Sequence, residues 1–178
     1  MASTYANTGS DTLRELFVVG LRNAHAVEKQ ALSIMQPQVA RIEHYPEVAD
    51  RLNAHIEETN AQIARLDEIL AGFDTSGSGL KDMALSFTGG MAALTHSVAS
   101  DEILKNSFAN YAFEHFEIAA YKSLLTLAED GGFSGASLLQ QSLKEEQAMA
   151  DWIDQSLPLV TRRYAQLYAE HGASEAKV

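Results

Sequence analysis

The chain has 178 residues, of which 46% are hydrophobic, and it carries a formal net charge of −11. This length and composition indicate a single soluble globular domain with a substantial core, and they argue against a mostly disordered chain. Because the chain contains no cysteine, disulfides, thiolate metal sites and a cysteine nucleophile are excluded.

The acidic balance also opposes nucleic-acid binding, which needs clustered lysine and arginine. The first residues, "MASTYANTGSDT", lack the basic and apolar regions of a signal peptide. No apolar run approaches the roughly 18 residues that a membrane span needs. We therefore expect a cytoplasmic protein that has neither a nucleic acid nor a membrane as its partner.

Apolar residues recur every three or four positions along nearly the whole chain, a period that is typical of α-helices. A first helix is predicted to begin after Ser10–Asp11, to kink or break at Pro37 and to continue to about Ile42. A second helix is predicted to start at Pro46, a favourable residue for a first turn, and to end at about 72–73.

The rest of the chain begins with a flexible break at 74–79, and 80–99 are predicted to hold only short helical pieces. A third long helix is predicted over about 100–130, after a capping segment and before two glycines. A fourth is predicted over about 134–157, and a shorter fifth over about 158–171 because it opens on a proline. The residues after the fifth helix are expected to fray.

Four long helices and a short fifth predict an all-α fold with one long connection, residues 74–99, between the second and third helices. Short loops join antiparallel neighbours, whereas a long link lets the chain cross the bundle. We therefore predict a ferritin-like four-helix bundle. It forms a single domain over 1–178, with an ordered core of about 11–172.

Acidic side chains lie within the apolar stripes of all four long helices, where each residue advances about 100° around the axis. On the first and fourth helices one glutamate lies at the centre of the stripe, and on the third helix two lie within it. On the second helix a histidine lies within the stripe and a glutamate at its edge. These residues are Glu28, His55, Glu58, Glu114, Glu117 and Glu146.

An ionised carboxylate in an apolar interior costs several kcal/mol, so it has to be paired, protonated or bound to a metal. Only Arg51 and Arg65 flank Glu58, and the stripes of the other three helices contain no lysine or arginine. Two divalent cations would balance the acids, and Fe(II) is the first candidate with Mn(II) or Zn(II) as alternatives. In helical bundles that bind two metal ions, carboxylates from all four helices project into the core and bind the metals.

Other polar residues near the stripes are assigned different roles. His25 is expected to be structural and His115 to lie outside the site. His55 is expected either to bind a metal or to support a residue that does. Tyr121 is expected to be a core residue whose hydroxyl bonds a ligand carboxylate, and Trp152 to pack at the stripe edge or in a subunit contact.

Four motifs resemble the bacterial ferritin-like stress proteins typified by YciF. The motifs are "AVEKQAL" around Glu28, "AHIEETNAQIARLDEIL" around His55 and Glu58, "EHFEIAAY" at Glu114 and Glu117, and "LLQQSLKEEQAMADWI" at Glu146. The resemblance covers roughly residues 12–165. It implies a bundle with a short extra helix, a role in stress, a homodimer and the five glutamates as metal carboxylates. The third motif is also distantly similar to rubrerythrins.

The sequence departs from the usual pattern of ferritin-like two-iron sites, which place a histidine three residues after the second-helix and fourth-helix glutamates. Ala61 and Met149 occupy those positions, and His55 precedes its glutamate. The site is therefore expected to be rich in oxygen ligands. Because there is no cysteine-bearing segment, a complete rubrerythrin electron relay is excluded.

Three functions remain open at this stage. The first is redox chemistry on Fe(II) with peroxide or oxygen, of a ferroxidase or peroxidase type. Glu146 with Glu58 or Glu114 would bridge the metals, Glu28 and Glu117 would bind at the ends, and His55 or water would complete the site. The second is a non-catalytic bundle that acts by association, its acids protonated or hydrogen-bonded. The third is an iron-storing cage.

Overall fold

A computed structural model describes the backbone of residues 2–73 and 99–178, and the side chains of 9–73 and 99–178. The described residues form four long α-helices and one short helix. Their bounds are α1 Ala2–Val39, α2 Pro46–Ala71, α3 Glu102–Gly131, α4 Ala136–His171 and α5 Ala173–Ala176. Within these ranges no helix is both long and apolar enough to span a bilayer.

The four long helices form a bundle in which α1 packs against α2 and α3, and α4 packs against the same two helices. Arg14, near the start of α1, donates a 2.8 Å hydrogen bond to the carbonyl of Phe73, just after α2. Arg41, just after α1, binds Glu102 at the start of α3 at 2.6 Å. The chain therefore leaves α2 at one end of the bundle and enters α3 at the other.

This topology confirms the predicted ferritin-like arrangement of two helical hairpins with a crossover between them. The two hairpins are α1–α2 and α3–α4, and α2 runs parallel to α3. The residues predicted to form the crossover, 74–99, lie outside the described residues except for Ala99.

The prediction of a separate fifth helix from Pro158 is wrong, because α4 continues through this proline to His171. Proline removes one backbone hydrogen bond and strains the preceding turn. Beyond it, Val160 and Leu167 are buried in the core, and this packing keeps the segment in line with the rest of α4. Likewise α1 runs through Pro37, and it begins at Ala2 instead of after Asp11.

The C-terminal residues, expected to fray, are docked against the starts of α2 and α3. The hydroxyl of Tyr45 donates a 2.5 Å hydrogen bond to the carbonyl of Ala176, which is fully buried. The carbonyl of Lys177 accepts from the amide of Ile103 at 2.9 Å. This contact satisfies one of the amides that every helix start leaves without a helical partner. The expectation of a frayed tail is therefore wrong.

Two clusters of buried apolar side chains fill the two halves of the bundle. In one half the ring of Phe17 stacks on that of Phe133, and both pack edge-on against Phe73, with centroids 5.1 to 5.7 Å apart. The other half includes Met35 and Ile103 near the docked tail. Polar side chains occupy the level between the clusters, and the candidate site is built there.

Candidate metal centre

The six side chains predicted to form a site lie at one level of the bundle, and every long helix contributes at least one. Five of them are almost completely buried: Glu28, His55, Glu114, Glu117 and Glu146. The sixth, Glu58, is 33% exposed at the edge of the site. The helical period had placed these residues on inward faces, and the tertiary structure brings those faces together.

His55 lies at the centre of the group. Its Nε2 atom is 3.2 Å from Oε2 of Glu114 and 3.7 Å from Oε2 of Glu146. One ligand atom from each of these three buried residues lies within 4.8 Å of the others, so the three could hold a metal ion together. The other ring nitrogen, Nδ1, donates to Glu58 at 2.8 Å. That bond fixes the ring so that Nε2 points inward.

Glu58 differs from the other four glutamates of the site because it is partly exposed and an arginine binds it. Its Oε2 accepts a hydrogen bond from Arg51 at 3.0 Å as well as the one from His55. Partial burial would raise the pKa of Glu58, but the hydrogen bonds from His55 and Arg51 outweigh it, so the pKa is lowered. Glu58 is therefore an ionised carboxylate that holds the imidazole from outside.

Glu28 reaches the site from α1 and is bound by a tyrosine. The hydroxyl of Tyr121 donates a 2.5 Å hydrogen bond to its Oε1. Burial raises the pKa of Glu28 to about 8, although the hydrogen bond from Tyr121 and the charge of His55 oppose the shift. The expected bond between Tyr121 and a carboxylate of the site is present, and it crosses from α3 to α1.

Glu117 and Glu146 lie against other acids. Burial raises the pKa of each well above its usual range, and the charges of neighbouring glutamates raise both further. Glu146 lies close enough to Glu117 and Glu114 for their charges to raise its pKa. Two carboxyl groups at such a distance must share a proton or a cation.

Several buried atoms of the site have no hydrogen-bond partner of acceptable geometry among the described residues. They are Glu28 Oε2, His55 Nε2, Glu114 Oε2, Glu117 Oε1 and Glu146 Oε2. Leaving a buried polar atom without a partner costs about 1–3 kcal/mol, and more when it is charged. Five such atoms come from all four long helices to one place. Carboxylate oxygens with one imidazole nitrogen suit a hard or borderline divalent cation, so the residues fit a metal.

The side of the site between α2 and α4 involves two residues that the sequence had not assigned to it. The amide nitrogen of Gln62 donates to Glu146 and, at 3.2 Å, to Glu145. Arg65 binds both oxygens of Glu145 at 2.7 and 2.8 Å. The position of Gln62 within the apolar stripe of α2 was the signal that could have identified it, because a buried amide needs a partner.

The order of histidine and glutamate on α2 has a structural explanation. His55 is fully buried, whereas Glu58, one turn later, lies at the edge. Ala61 is exposed, so a histidine at the expected position three residues after Glu58 would point to solvent. On this helix the inner position is occupied by the histidine, and the glutamate follows it.

Two histidines lie outside the group, as expected. His25 is buried and its Nε2 lies 3.1 Å from Asp67, which links α1 to α2. Burial lowers the pKa of His25, while Asp67 opposes the shift. His115 is exposed and packs edge-on against the ring of Tyr111, with centroids 4.6 Å apart.

Comparisons with known proteins show similarity over most of the chain. The family described as "Domain of unknown function (DUF892)" matches residues 12–166. Protein YciF of Escherichia coli (strain K12) is 32% identical over 146 residues, which are 77% of this chain and 85% of YciF.

Two crystal structures have a similar fold. A protein of Xanthomonas campestris pv. campestris superposes with a TM-score of 0.71 at 31% identity, over 89% of this chain and 98% of that one. The E. coli stress protein YciF superposes with a TM-score of 0.69 at 28% identity, over 82% of this chain and 94% of that one. The span that the family matches includes all six residues of the predicted site.

Proposed function

Because the chain belongs to the DUF892 family, whose description assigns no activity, we propose a function from the geometry of the buried site. The protein is a cytoplasmic, stress-associated, ferritin-like protein that holds two divalent metal ions. Iron is the first candidate, with manganese or zinc as alternatives. When bound, the metal pair supplies redox chemistry for handling Fe(II) with peroxide or oxygen.

The observation that carries this proposal is the set of five buried polar atoms without a hydrogen-bond partner among the described residues, one from each of five side chains on four helices. Four of these side chains are glutamates, and four ionised carboxylates would balance the charge of two divalent cations. The described residues offer only His55 as a titratable cation within hydrogen-bonding distance of Glu114. Metal ions would satisfy both the charge and the missing contacts.

The proposed roles follow from the contacts. Glu146 would bridge the two ions, since it lies within reach of Glu114 and Glu117. Glu28 would bind from the α1 side, and Tyr121 would hold its orientation. His55 would offer Nε2 as the nitrogen ligand. We assign Glu58 to the support of His55 instead of the metal, because its Oε2 is bonded to Arg51 and to the imidazole.

The direct test is metal analysis of the full chain purified from iron-supplemented cells. The protein should carry about two metal ions per chain, as two-metal carboxylate bundles do. Anomalous scattering from crystals at the iron and manganese edges should place them between Glu28, His55 and Glu146. Protein that holds no metal, and takes up none when titrated with Fe(II), Mn(II) or Zn(II), would overturn the proposal.

A non-catalytic bundle is the second candidate, and the titration behaviour of the site favours it. Burial raises the pKa of Glu28 to about 8, so this acid can remain protonated and neutral near pH 7. Burial would lower the pKa of His55, but the adjacent carboxylates of Glu114 and Glu58 raise it to about 9. A protonated site would need no metal, and it would make thermal stability independent of metal ions.

The expected homodimer is proposed to form through the outer face of α1 and α3. Leu16, Val19, Phe108 and Phe116 are large apolar side chains exposed on these two helices. Phe108 and Phe116 are two turns apart on one face of α3, and Phe116 lines a groove of about 270 Å³ between α1 and α3. Exposed apolar patches of this kind mark association surfaces.

The substitution Phe116→Asp is expected to convert the dimer to a monomer, because it places a charge in an apolar contact. Light scattering of the purified protein measures the mass directly. Leu159→Asp is the matched control, since Leu159 is exposed on α4, away from this face, and its dimer should persist. A monomeric wild-type protein, or a dimeric Phe116→Asp variant, would contradict this surface.

A further inference from the structure

A line of buried polar side chains leads away from the site along α3. Every fourth position is polar and buried from the site to the start of the helix: Glu114, Asn110, Asn106 and Glu102. Residues four apart are neighbours on one face of a helix. Buried amides cost free energy unless they are bonded, so a helix that only filled a core would carry apolar residues here.

The middle of this line meets a partner on α1. The amide nitrogen of Asn110 donates to Gln38 at 2.9 Å, and the amide nitrogen of Gln38 donates back at a longer 3.4 Å. One turn earlier, Oδ1 of Asn106 has no hydrogen-bond partner in the described part of the chain. Carbonyl oxygens therefore line the contact between α1 and α3 on the approach to the site.

A small cavity lies beside this amide pair. It is lined by Ala31, Ile34, Met35, Asn110, Phe113 and Glu114. The space in it that the centre of a water molecule can occupy is about 10 Å³. This is roughly the room that one water molecule needs. Ile34 is partly exposed, whereas Glu114 is buried with its Oε2 3.2 Å from His55. The cavity thus lies between the partly exposed Ile34 and Glu114, a candidate metal ligand.

At two other approaches to the site, the carboxylates are already paired with arginines. Between α2 and α4, Arg65 is bound to Glu145 and Arg51 to Glu58. At the start of α3, Glu102 is bound by Arg41. A carboxylate that is held by a guanidinium group is less available to receive an incoming cation. None of the residues that line the cavity between α1 and α3 is positively charged.

We propose that divalent cations reach the buried site through this cavity, and that the Gln38–Asn110 amide pair is the gate. The pair opens at its longer hydrogen bond, the amide oxygens contact the incoming cation, and Glu114 receives it. Carbonyl and carboxylate oxygens are the ligands that such cations prefer. This inference rests on the proposed function, because only a metal-binding chain needs such a route.

The test follows the rate at which the metal-free full chain takes up Co(II), by stopped-flow absorption. The variant Gln38→Leu with Asn110→Leu replaces both amides by apolar groups of similar size, which folding tolerates when both partners change together. Its uptake should be slower by about 10-fold or more, the effect of a barrier about 1.4 kcal/mol higher. Its final Co(II) content should equal that of the wild type.

A second variant tests the route in the opposite direction. Ile34→Ala widens the outer mouth of the cavity and should accelerate uptake without changing the final content. The control is Ser156→Leu, which partly fills a larger cavity of about 420 Å³ lined by Trp152 and Arg163 at the tail end of the bundle. Because that cavity does not include any residue of the site, its filling should leave the rate unchanged.

The outcomes separate the route from the function. Normal Co(II) content with an unchanged rate in both the double variant and Ile34→Ala would overturn the route alone. Equal slowing in Ser156→Leu would also overturn it, because the rate would then report general rigidity of the bundle. A wild-type chain that takes up no Co(II), Fe(II) or Mn(II) would overturn the proposed function itself.

Discussion

Changing Glu28 and Glu146 together to glutamine is expected to lower the metal content from about two ions per chain to nearly none. The two residues approach the site from α1 and α4, and each has one buried oxygen without a donor. Glutamine preserves the shape of the side chain but removes its negative charge, which metal binding needs. Elemental analysis after anaerobic loading with Fe(II) and gel filtration measures the change.

Glu145→Gln is the matched control, because Glu145 is the neighbour of Glu146 on the same helix and carries the same charge. Its carboxylate binds Arg65 at 2.7 and 2.8 Å and lies beside the site. This variant should keep its metal and lose only about 1 kcal/mol of stability with the ion pair. Metal retained by the double variant would contradict the ligand assignment, and metal lost from Glu145→Gln would indicate that net charge alone governs binding.

The metal-free protein is expected to become less stable as the pH rises from about 5 to 9. Burial raises the pKa of Glu28 from 4.5 to about 8. Its stabilising contribution is therefore present in full below pH 4.5 and is lost as the pH rises to about 8. Burial also raises the pKa of Glu117 and Glu146. The pKa of His55 rises from 6.5 to about 9 despite burial. Its stabilising contribution is therefore also lost as the pH rises from about 6.5 to 9.

The size of this loss is set by the buried acids. A shift as large as that of Glu28 corresponds to at most about 5 kcal/mol, so the melting temperature should fall by roughly 10 °C in a protein of this size. Calorimetry in the presence of a chelator, at several pH values, measures it. Glu28→Gln with Glu146→Gln should flatten the pH dependence, because glutamine does not titrate.

Metal ions should reverse the loss at high pH. Mn(II) at 100 times its dissociation constant adds about 2.7 kcal/mol of stability. At a fixed Mn(II) concentration this stabilisation should grow as the pH rises, because the ligands must lose their protons to bind the metal. The non-catalytic alternative requires equal melting temperatures with and without metal at every pH. Stability that increased from pH 5 to 9 without metal would contradict the burial of ionisable acids in the site.

The reversed order of His55 and Glu58 sets the chemical character of the site. The single imidazole is held by an ionised glutamate on one side and faces Glu114 and Glu146 on the other. No second histidine lies within this buried group of described residues. A centre with four carboxylates and one nitrogen favours hard and borderline ions over soft ones, which is consistent with iron or manganese.

The sequence by itself determined the helices and the inward direction of the acids. Both depend on the 3.6-residue period, which is a local property of the backbone. Glu28 and Glu146 at the centres of their stripes, and His115 outside its stripe, could be placed from spacing alone. The fold also followed, because the lengths of helices and connections limit how two hairpins join.

Only the tertiary structure decided which groups meet. The bond from Tyr121 to Glu28, the amide of Gln62 on Glu146 and the docked tail at Ala176 join residues far apart in the chain. Spacing within one helix carries no information on such partners. Pro158 shows the same limit, since its local preference predicted a break, whereas burial of Val160 and Leu167 favours a continuous helix. Packing between helices outweighs local preference because its free energy is summed over many contacts.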